Sequence, residues 1–345
     1  MADTTTRLRG PSAFWAGARR ALAAALALLA AVLPAATPAA ARDQPYAGKR
    51  ILWVDSYAPG FAWTDGIVRG VREVLDGTGV TLHVVHMDTK RDTSPEFARQ
   101  AGLRAKAEMD ALGPHVVMAS DDNAQRHFVV PFLRGGRTPV VFCGVNWDAS
   151  PYGYPAPNVT GMVEVGLLRE ALDVMRPFAR GPRVAVIAAD TVSERSNLEV
   201  YAARGLARGW ATFLLHDFAE FPAAFRQAQE QADMILLGGN GGIANWDDAR
   251  AREFLAAHTA VPTGSLDAYL APYSVFTFSK VPEEQGRWMA ATALRLLDGE
   301  SPADIPMTEN RRVNLIVNLE LARAAGLVLP LSLLRTATVL GRDAP

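Results

Sequence analysis

Arg50-Ile-Leu-Trp-Val54 followed by Asp55-Ser-Tyr-Ala-Pro-Gly60 is the stretch that decides the fold. The first segment is a short run with no polar face, as expected of a strand buried on both sides of a parallel sheet. The second is a polar loop. After it, Ile67, Val71, Val74 and Leu75 recur near helical spacing, with Thr64 or Asp65 as expected caps and Gly77-Thr-Gly79 as the stop. Strand, loop and helix in this order make the opening of an α/β unit.

Outward from that unit the alternation continues. The pattern predicts strands at Val80–Met87, Val116–Ala119 and Val140–Cys143, with helices at Pro95–Leu112 and Asn123–Leu133 between them. It then restarts. Strands are expected at Val184–Ala188, Thr212–Leu215, Met234–Leu237 and Val261–Thr263, and helices at Asn197–Arg208, Ala223–Gln231 and Trp246–His258. Asn158–Glu164 is the boundary between the halves. A helix at Pro282–Leu297, a strand at Val313–Val317 and a short helix at Leu319–Ala325 follow, so the chain is expected to recross between lobes.

The N-terminus reads as an export signal. Arg7, Arg9, Arg19 and Arg20 precede an apolar run from Ala21 to Leu33, and Ala39-Ala40-Ala41 forms a small-residue end. That run is shorter than the roughly 20 residues a membrane-spanning helix needs. Cleavage is expected after Ala41. Residues 1–41 hold four Arg and one Asp, so 31 basic and 35 acidic residues remain, a net charge of −4. A mildly acidic body argues against nucleic acid as partner. The one cysteine, Cys143, permits no intrachain disulfide, lies far from the cut site, so it offers no lipid anchor there, and is expected as a packed core thiol.

Ligands of open parallel sheets sit beyond the carboxyl ends of the strands. This selects Ser56, Tyr57 and Trp63 after the first strand, Asp121, Asp122 and Asn123 after the third, and Asn146 after the fourth. In the second half it selects Ser193, Glu194, Asn197, Asn240 and Asp267. Aromatic rings with sparse polar groups describe a small-molecule pocket. The same polar residues also suit helix caps, Asp121, Asp122 and Ser196 above all. Asp121-Asp122 would attract an ammonium, and a helix start after Ser193 or Ser196 would hold a carboxylate, which together suit a zwitterion.

Catalytic signals are weak. His83 and His86, three apart on a strand, point to opposite faces and are not expected to share a metal. Gly239-x-Gly241-x-x-Ala244 fits the dinucleotide glycine pattern only nominally and is expected as a tight turn. No metal or cofactor is expected. His127 with Asp121 or Asp122 is the one candidate acid–base set for a secreted enzyme, and Asn158-Val-Thr160 is expected to be a turn.

Several of these segments resemble the ABC-transporter substrate-binding proteins of the tryptophan/tyrosine-type group. They are Gly60-Phe-Ala-Trp-Thr-Asp65, Ala119-Ser-Asp-Asp-Asn-Ala124, Pro139-Val-Val-Phe-Cys-Gly-Val-Asn146 and Asn158-Val-Thr-Gly-Met-Val-Glu164. Gly299-Glu-Ser-Pro-Ala-Asp-Ile-Pro306, Val317-Asn-Leu319 and Ala325-Gly-Leu327 resemble that group's ending. Members often carry a small hydroxyl residue where this chain has Asp121-Asp122. The resemblance implies a type I periplasmic-binding fold of two Rossmann-like lobes joined by three crossings. Lobe one would comprise 48–163 plus 281–305, and lobe two 164–280 plus 306–345. It also implies that Ser193, Glu194 and Asn197 form the second-lobe ligand loop. The expected function is a periplasmic receptor that closes about a hinge on a small polar or aromatic, amino-acid-like solute, then docks on the membrane permease of an ABC importer. The alternative is a ligand-sensing partner of a signalling kinase, built on the same fold.

Overall fold

A computed structural model describes residues 44–341. The expected export signal at 1–41 lies outside the described residues. In chain order the first half contributes β1 (Arg50–Asp55), α1 (Ala62–Leu75), β2 (Thr81–His86), α2 (Pro95–Leu112), β3 (Val116–Ser120), α3, β4 (Val140–Asn146) and β5 (Val159–Glu164). Helix α3 is built of Asp121–Ala124, a π-helical turn Gln125–Val129 and Val130–Phe132. The second half contributes α4 (Leu168–Met175), β6 (Val184–Ala189), α5 (Val192–Ala203), β7 (Ala211–Leu215), α6 (Phe221–Gln231), β8 (Met234–Leu237), α7 (Asp248–His258), β9 (Thr263–Ser265) and β10 (Phe276–Lys280). The tail holds α8 (Pro282–Leu297), β11 (Thr308–Glu309), β12 (Val313–Asn318), α9 (Leu319–Ala324), α10 (Leu331–Thr336) and β13 (Thr338–Leu340).

Two sheets result, in the orders β11-β5-β4-β3-β1-β2 and β13-β12-β10-β9-β8-β6-β7. All pairings of the first are parallel, as are those of the second except β10 with β12. This is the two-lobed α/β architecture expected from the sequence. The opening strand shows why it forms. Leu52 and Val54 enter one core and Ile51 and Trp53 another, one on each face of the sheet. Cys143 lies in the second of these cores, and burial pushes its thiol up, so the core reading of the cysteine agrees with the structure.

Helix α8 returns to the first sheet and packs on α1. The approach needs glycine. A Cβ on Gly286 would lie 2.1 Å from the Ile67 carbonyl oxygen, and one on Gly70 would lie 2.3 Å from that of Glu283. Both contacts are with backbone, which cannot yield easily.

Within the described residues the chain passes between sheets three times, after β5, after β10 and after β11. Asn310, 1% exposed, ties the first and third passages: its Oδ1 accepts from Val165 N–H at 2.7 Å and its Nδ2 donates to the Val165 carbonyl at 3.2 Å. Glu164 and Lys280, at the ends of β5 and β10, pair at 2.6 Å and tie the first to the second. Glu284 accepts the backbone N–H groups of Arg311 and Arg312, joining α8 to the third.

Several local expectations differ from the structure. Asn158–Glu164 is not a bare connection: β5 fills most of it and pairs with β4. Helix α5 starts at Val192, five residues before the expected Asn197, and Thr191 caps it by accepting from Glu194 N–H at 3.2 Å. Only Tyr201 of that helix is buried, so it lacks the apolar stripe that would reveal its start. Neither Ser193 nor Ser196 is its cap. Helix α1 begins at Ala62, so Thr64 lies inside its first turn, while Asp65 accepts from Gly60 N–H at 3.0 Å. Strand β9 begins two residues later than expected, and α4, β10, α10 and β13 carry no expectation from the sequence.

Candidate functional site

The strand ends of the two sheets face a cleft of about 600 Å³. Lobe one supplies Asp122, Arg126, Asn146, Trp147 and Glu164 to its lining. Lobe two supplies Ser193, Asn197 and Tyr201 from α5, with Asp267 after β9 and Lys280 at the end of β10. A larger hollow of about 920 Å³ lies on the other side of Trp147, along the β11 edge. Its lining comes from the loops after β4 and β11 and the flanks of α4 and α5, Glu170 and Arg204 among them, and takes nothing from the ends of β3, β9 or β10. The cleft of about 600 Å³ is therefore the candidate site.

Trp147 spans the two lobes. Its backbone is held at φ 60°, a conformation disfavoured for a bulky side chain, and its indole packs against the cores of both lobes. The indole N–H donates to Asn197 Oδ1 at 3.0 Å, and the ring meets Tyr201 edge-on at 5.4 Å. The Arg204 guanidinium lies 5.5 Å from the same ring and donates to the Trp147 carbonyl and to Glu309.

The lobe-one wall rests on a chain of buried polar contacts. Asp55, fully buried at the end of β1, accepts from the Ser120 hydroxyl at 2.7 Å and contacts His86 Nδ1 at 3.1 Å. That hydrogen bond leads the causes that raise the His86 pKa. The Ser120 hydroxyl also accepts from the Trp53 indole at 3.0 Å. Asp121 follows at φ 66°, only 2% exposed, with the Trp63 indole donating to its Oδ1 at 3.1 Å. Its other oxygen has no partner among the described residues. Burial, with the carboxylates of Asp55 and Glu164 nearby, holds the Asp121 carboxyl well above the usual carboxylate range.

The residues chosen from the sequence separate into three groups. Asp122, Asn146, Ser193, Asn197 and Asp267 line the cleft. Asp122 is held in place by Asn146 Nδ2 at 2.8 Å and by the Tyr152 hydroxyl at 2.6 Å. Glu194 stands beside that lining on the first turn of α5, over the β8 loop: a Cβ on Gly239 would lie 2.7 Å from its Oε1. Tyr57 and Asn123 line a smaller cavity of about 340 Å³ in lobe one, beside Lys90, Arg126 and His127. Lys90 sits 4.7 Å over the Tyr57 ring, and Asn123 donates to Thr89 at 2.8 Å.

The third group serves the interior. Ser56 is fully buried, its hydroxyl donating to the Ser120 carbonyl at 2.6 Å and accepting from Ala124 N–H at 2.8 Å. Trp63 supports Asp121, and Asp121 is sealed beneath the wall, so the expected Asp121-Asp122 ammonium pair is reduced to Asp122 alone. Asn240 lines a narrow apolar pocket behind β8 instead of the cleft, and its carbonyl accepts from Ile243 N–H at 3.0 Å in the expected turn. His83 and His86 take separate carboxylates, Glu108 and Asp55. Asn158 anchors its turn through Leu133, Gly135 and Thr138.

Sequence reasoning missed Arg126, Tyr201 and Lys280. Arg126 lies four residues beyond Asp122 and Tyr201 four beyond Asn197, one helical turn in each case. Lys280 closes β10, a strand whose alternation Phe276-Thr-Phe-Ser279 could have marked it. Its environment is divided: burial opposes its charge, but Glu164 and Asp267 outweigh that and raise its pKa.

No protein-family model and no curated protein matches the chain. Solved structures do. One is the ligand-free, open form of a substrate-binding protein with adhesive properties from Clostridium difficile, with a TM-score of 0.66 at 13% identity over 85% of this chain and 99% of that one. A second is an ABC domain in complex with L-Trp from Streptococcus pneumonia, with a TM-score of 0.56 at 15% identity over 85% and 99%. A third is an ABC transporter solute-binding protein from Bradyrhizobium with bound Bis-Tris, with a TM-score of 0.51 at 14% identity over 82% and 85%. At these identities the likeness establishes the architecture: the chain has the fold of type I periplasmic-binding proteins.

Proposed function

We propose that the chain is the solute-binding component of an ABC importer, exported to the periplasm and released there by cleavage after Ala41. The supporting observation is the cleft of about 600 Å³, lined from both lobes at the ends of two parallel sheets. A solute touching both walls binds the closed form better than the open one, and only such differential affinity shifts the equilibrium. The three tied passages supply a hinge, and Trp147 meets lobe two at Asn197 and Tyr201. The solute is small and amino-acid-like, in keeping with the resemblance to the tryptophan/tyrosine-type group, and closure creates the surface that a permease reads.

Isothermal titration of residues 42–345 with an amino-acid and amine library tests the binding step. Saturable one-to-one binding that weakens on Asn197→Ala is expected, and a solute whose affinity ignores cleft substitutions refutes the assignment. Deletion of the gene is expected to abolish uptake of the bound solute. Unimpaired uptake with a lost kinase response assigns the chain to sensing instead.

A further inference from the structure

The first passage divides two cavities. Glu164 and Gly166 line the cleft of about 600 Å³, while Val163 and Leu167 line the hollow of about 920 Å³ along the β11 edge. The other passages take sides as well. Lys280, closing β10, lines the cleft, and Asn310 and Arg311 line the hollow. Trp147 lines both. The cavities therefore lie on opposite sides of the segments that join the lobes. A rotation of the lobes about those segments that narrows one cavity widens the other.

Helix α5 spans the divide. Ser193, Asn197 and Tyr201 line the cleft, and Val200, Ala203 and Arg204 line the hollow. At 1.5 Å of rise per residue, Arg204 lies about 10 Å beyond Asn197 along the helix. Trp147 meets the stretch between them, through its 3.0 Å hydrogen bond to Asn197 and its edge-on contact with Tyr201. The helix thus lies across Trp147 as a lever, with one end in each cavity. At the hollow end Arg204 reaches to lobe one. Its guanidinium donates to Glu309, on the β11 edge strand of the first sheet, at 2.9 Å and to the Trp147 carbonyl at 3.3 Å. The side chains of the pair are 35% and 50% exposed, so its strength is that of a modest surface ion pair.

We propose that the Arg204–Glu309 pair is a catch that opposes closure of the cleft. Closing brings the Ser193 end of α5 toward lobe one, swings the Arg204 end away from β11 and breaks the pair. Loss of the pair therefore favours the closed form. The catch touches no solute and sets affinity through the closed fraction, to which apparent affinity is proportional. The inference rests on the reading of the cleft as a solute site whose walls close, and it adds the contact that resists closing.

The test uses residues 42–345, stripped of solute by unfolding in urea and refolding, with spin labels on Arg99→Cys in lobe one and Glu199→Cys in lobe two. Pulsed electron resonance reads the ratio of short to long inter-lobe distances. Arg204→Ala and Glu309→Gln are each expected to raise that ratio about two- to fivefold, the range set by a half-exposed ion pair. Arg204→Glu places like charges face to face and should raise it further, and the exchange Arg204→Glu/Glu309→Arg should return it to the parent value. Sodium chloride at about 1 M should move the parent toward Arg204→Ala. Arg176→Ala, which removes a pair with Asp173 inside lobe two, should leave the ratio unchanged. Circular dichroism confirms that each variant folds. Three results overturn the proposal: a ratio unchanged or lowered in Arg204→Ala, Glu309→Gln and Arg204→Glu, a rise as large in Arg176→Ala, or an exchange variant that behaves like Arg204→Glu. If the catch variants change nothing while the solute retained through native purification still shortens the distances, the closing cleft stands and the catch alone fails. If neither the variants nor that solute moves the distribution, both fail.

Discussion

Lys280→Met is the sharpest test of how the passages between the sheets are held together. The Nζ of Lys280 lies 2.6 Å from the Glu164 carboxylate, and Glu164 is only 7% exposed. Removing the ammonium leaves a buried carboxylate without a counter-charge, which in proteins costs about 3–5 kcal/mol. Two features lower that figure here. A quarter of the Lys280 side chain is exposed, so some of its charge is already screened by water. Glu164 can also take up a proton, because burial holds its carboxyl above the ordinary value despite Lys280. The expected loss at pH 7 is therefore about 2–3 kcal/mol, a fall in Tm of about 3–5 °C for roughly 300 residues. A carboxyl with a raised folded-state pKa contributes stability that is present below its unfolded pKa and lost as pH rises through the folded one. In the variant that window runs further upward from the ordinary glutamate value, so the deficit against the parent protein should shrink as pH falls from 7 toward 5. Urea melts at several pH values measure it, and Glu164→Gln added to Lys280→Met should recover about half of the loss, since neither position of the pair then carries a charge. A deficit below about 0.5 kcal/mol at pH 7, or one that does not shrink in acid, refutes the reasoning.

Three further outcomes are expected. Asp121→Asn should leave stability at pH 7 unchanged or raise it by about 1 kcal/mol, because asparagine tolerates positive φ and has no charge to bury, whereas Asp121→Ala should cost about 2 kcal/mol by orphaning the Trp63 indole and straining the backbone; denaturant melts distinguish them. Gly286→Ala should cost about 3 kcal/mol or more in the same assay, since the new methyl would lie 2.1 Å from the Ile67 carbonyl oxygen. Trp147→Phe keeps a ring near Tyr201 but removes the 3.0 Å hydrogen bond to Asn197, so affinity for a bound solute should fall about three- to tenfold while Tm changes by less than about 2 °C.

The sequence is most legible where strands are buried on both faces. Ile51–Val54, Val116–Ala119 and Val184–Ala188 are uninterrupted apolar runs, and each is a central strand. It is least legible where an element faces the cleft or an edge. Helix α5 leaves Ser193 exposed and Glu194 and Asn197 half-buried and buries only Tyr201, so nothing periodic marks its first turns. Strand β10 mixes Thr277 and Ser279 with Phe276 and Phe278, because the hydroxyl of Thr277 meets Ser265 and Ser274 inside lobe two. The site follows the same logic. The strand-end rule located Asp122, Asn146 and Asp267, whose loops do reach the cleft. It could not tell them from Ser56 and Asp121, which occupy equivalent loop positions but are turned inward, because one residue's difference in backbone direction decides the matter. At Asp121 that direction is set by φ 66°, which no composition or spacing announces.

The claim that a guest joins the two walls is tested most directly by pulsed electron resonance between spin labels on Arg99→Cys in lobe one and Glu199→Cys in lobe two. Both positions are exposed, and the native thiol of Cys143 is buried away from the reagent. Addition of the solute retained through native purification should shorten and narrow the distance distribution, and Asp267→Asn should restore the broad one at the same concentration. A bound solute that leaves the distribution unchanged would contradict the account.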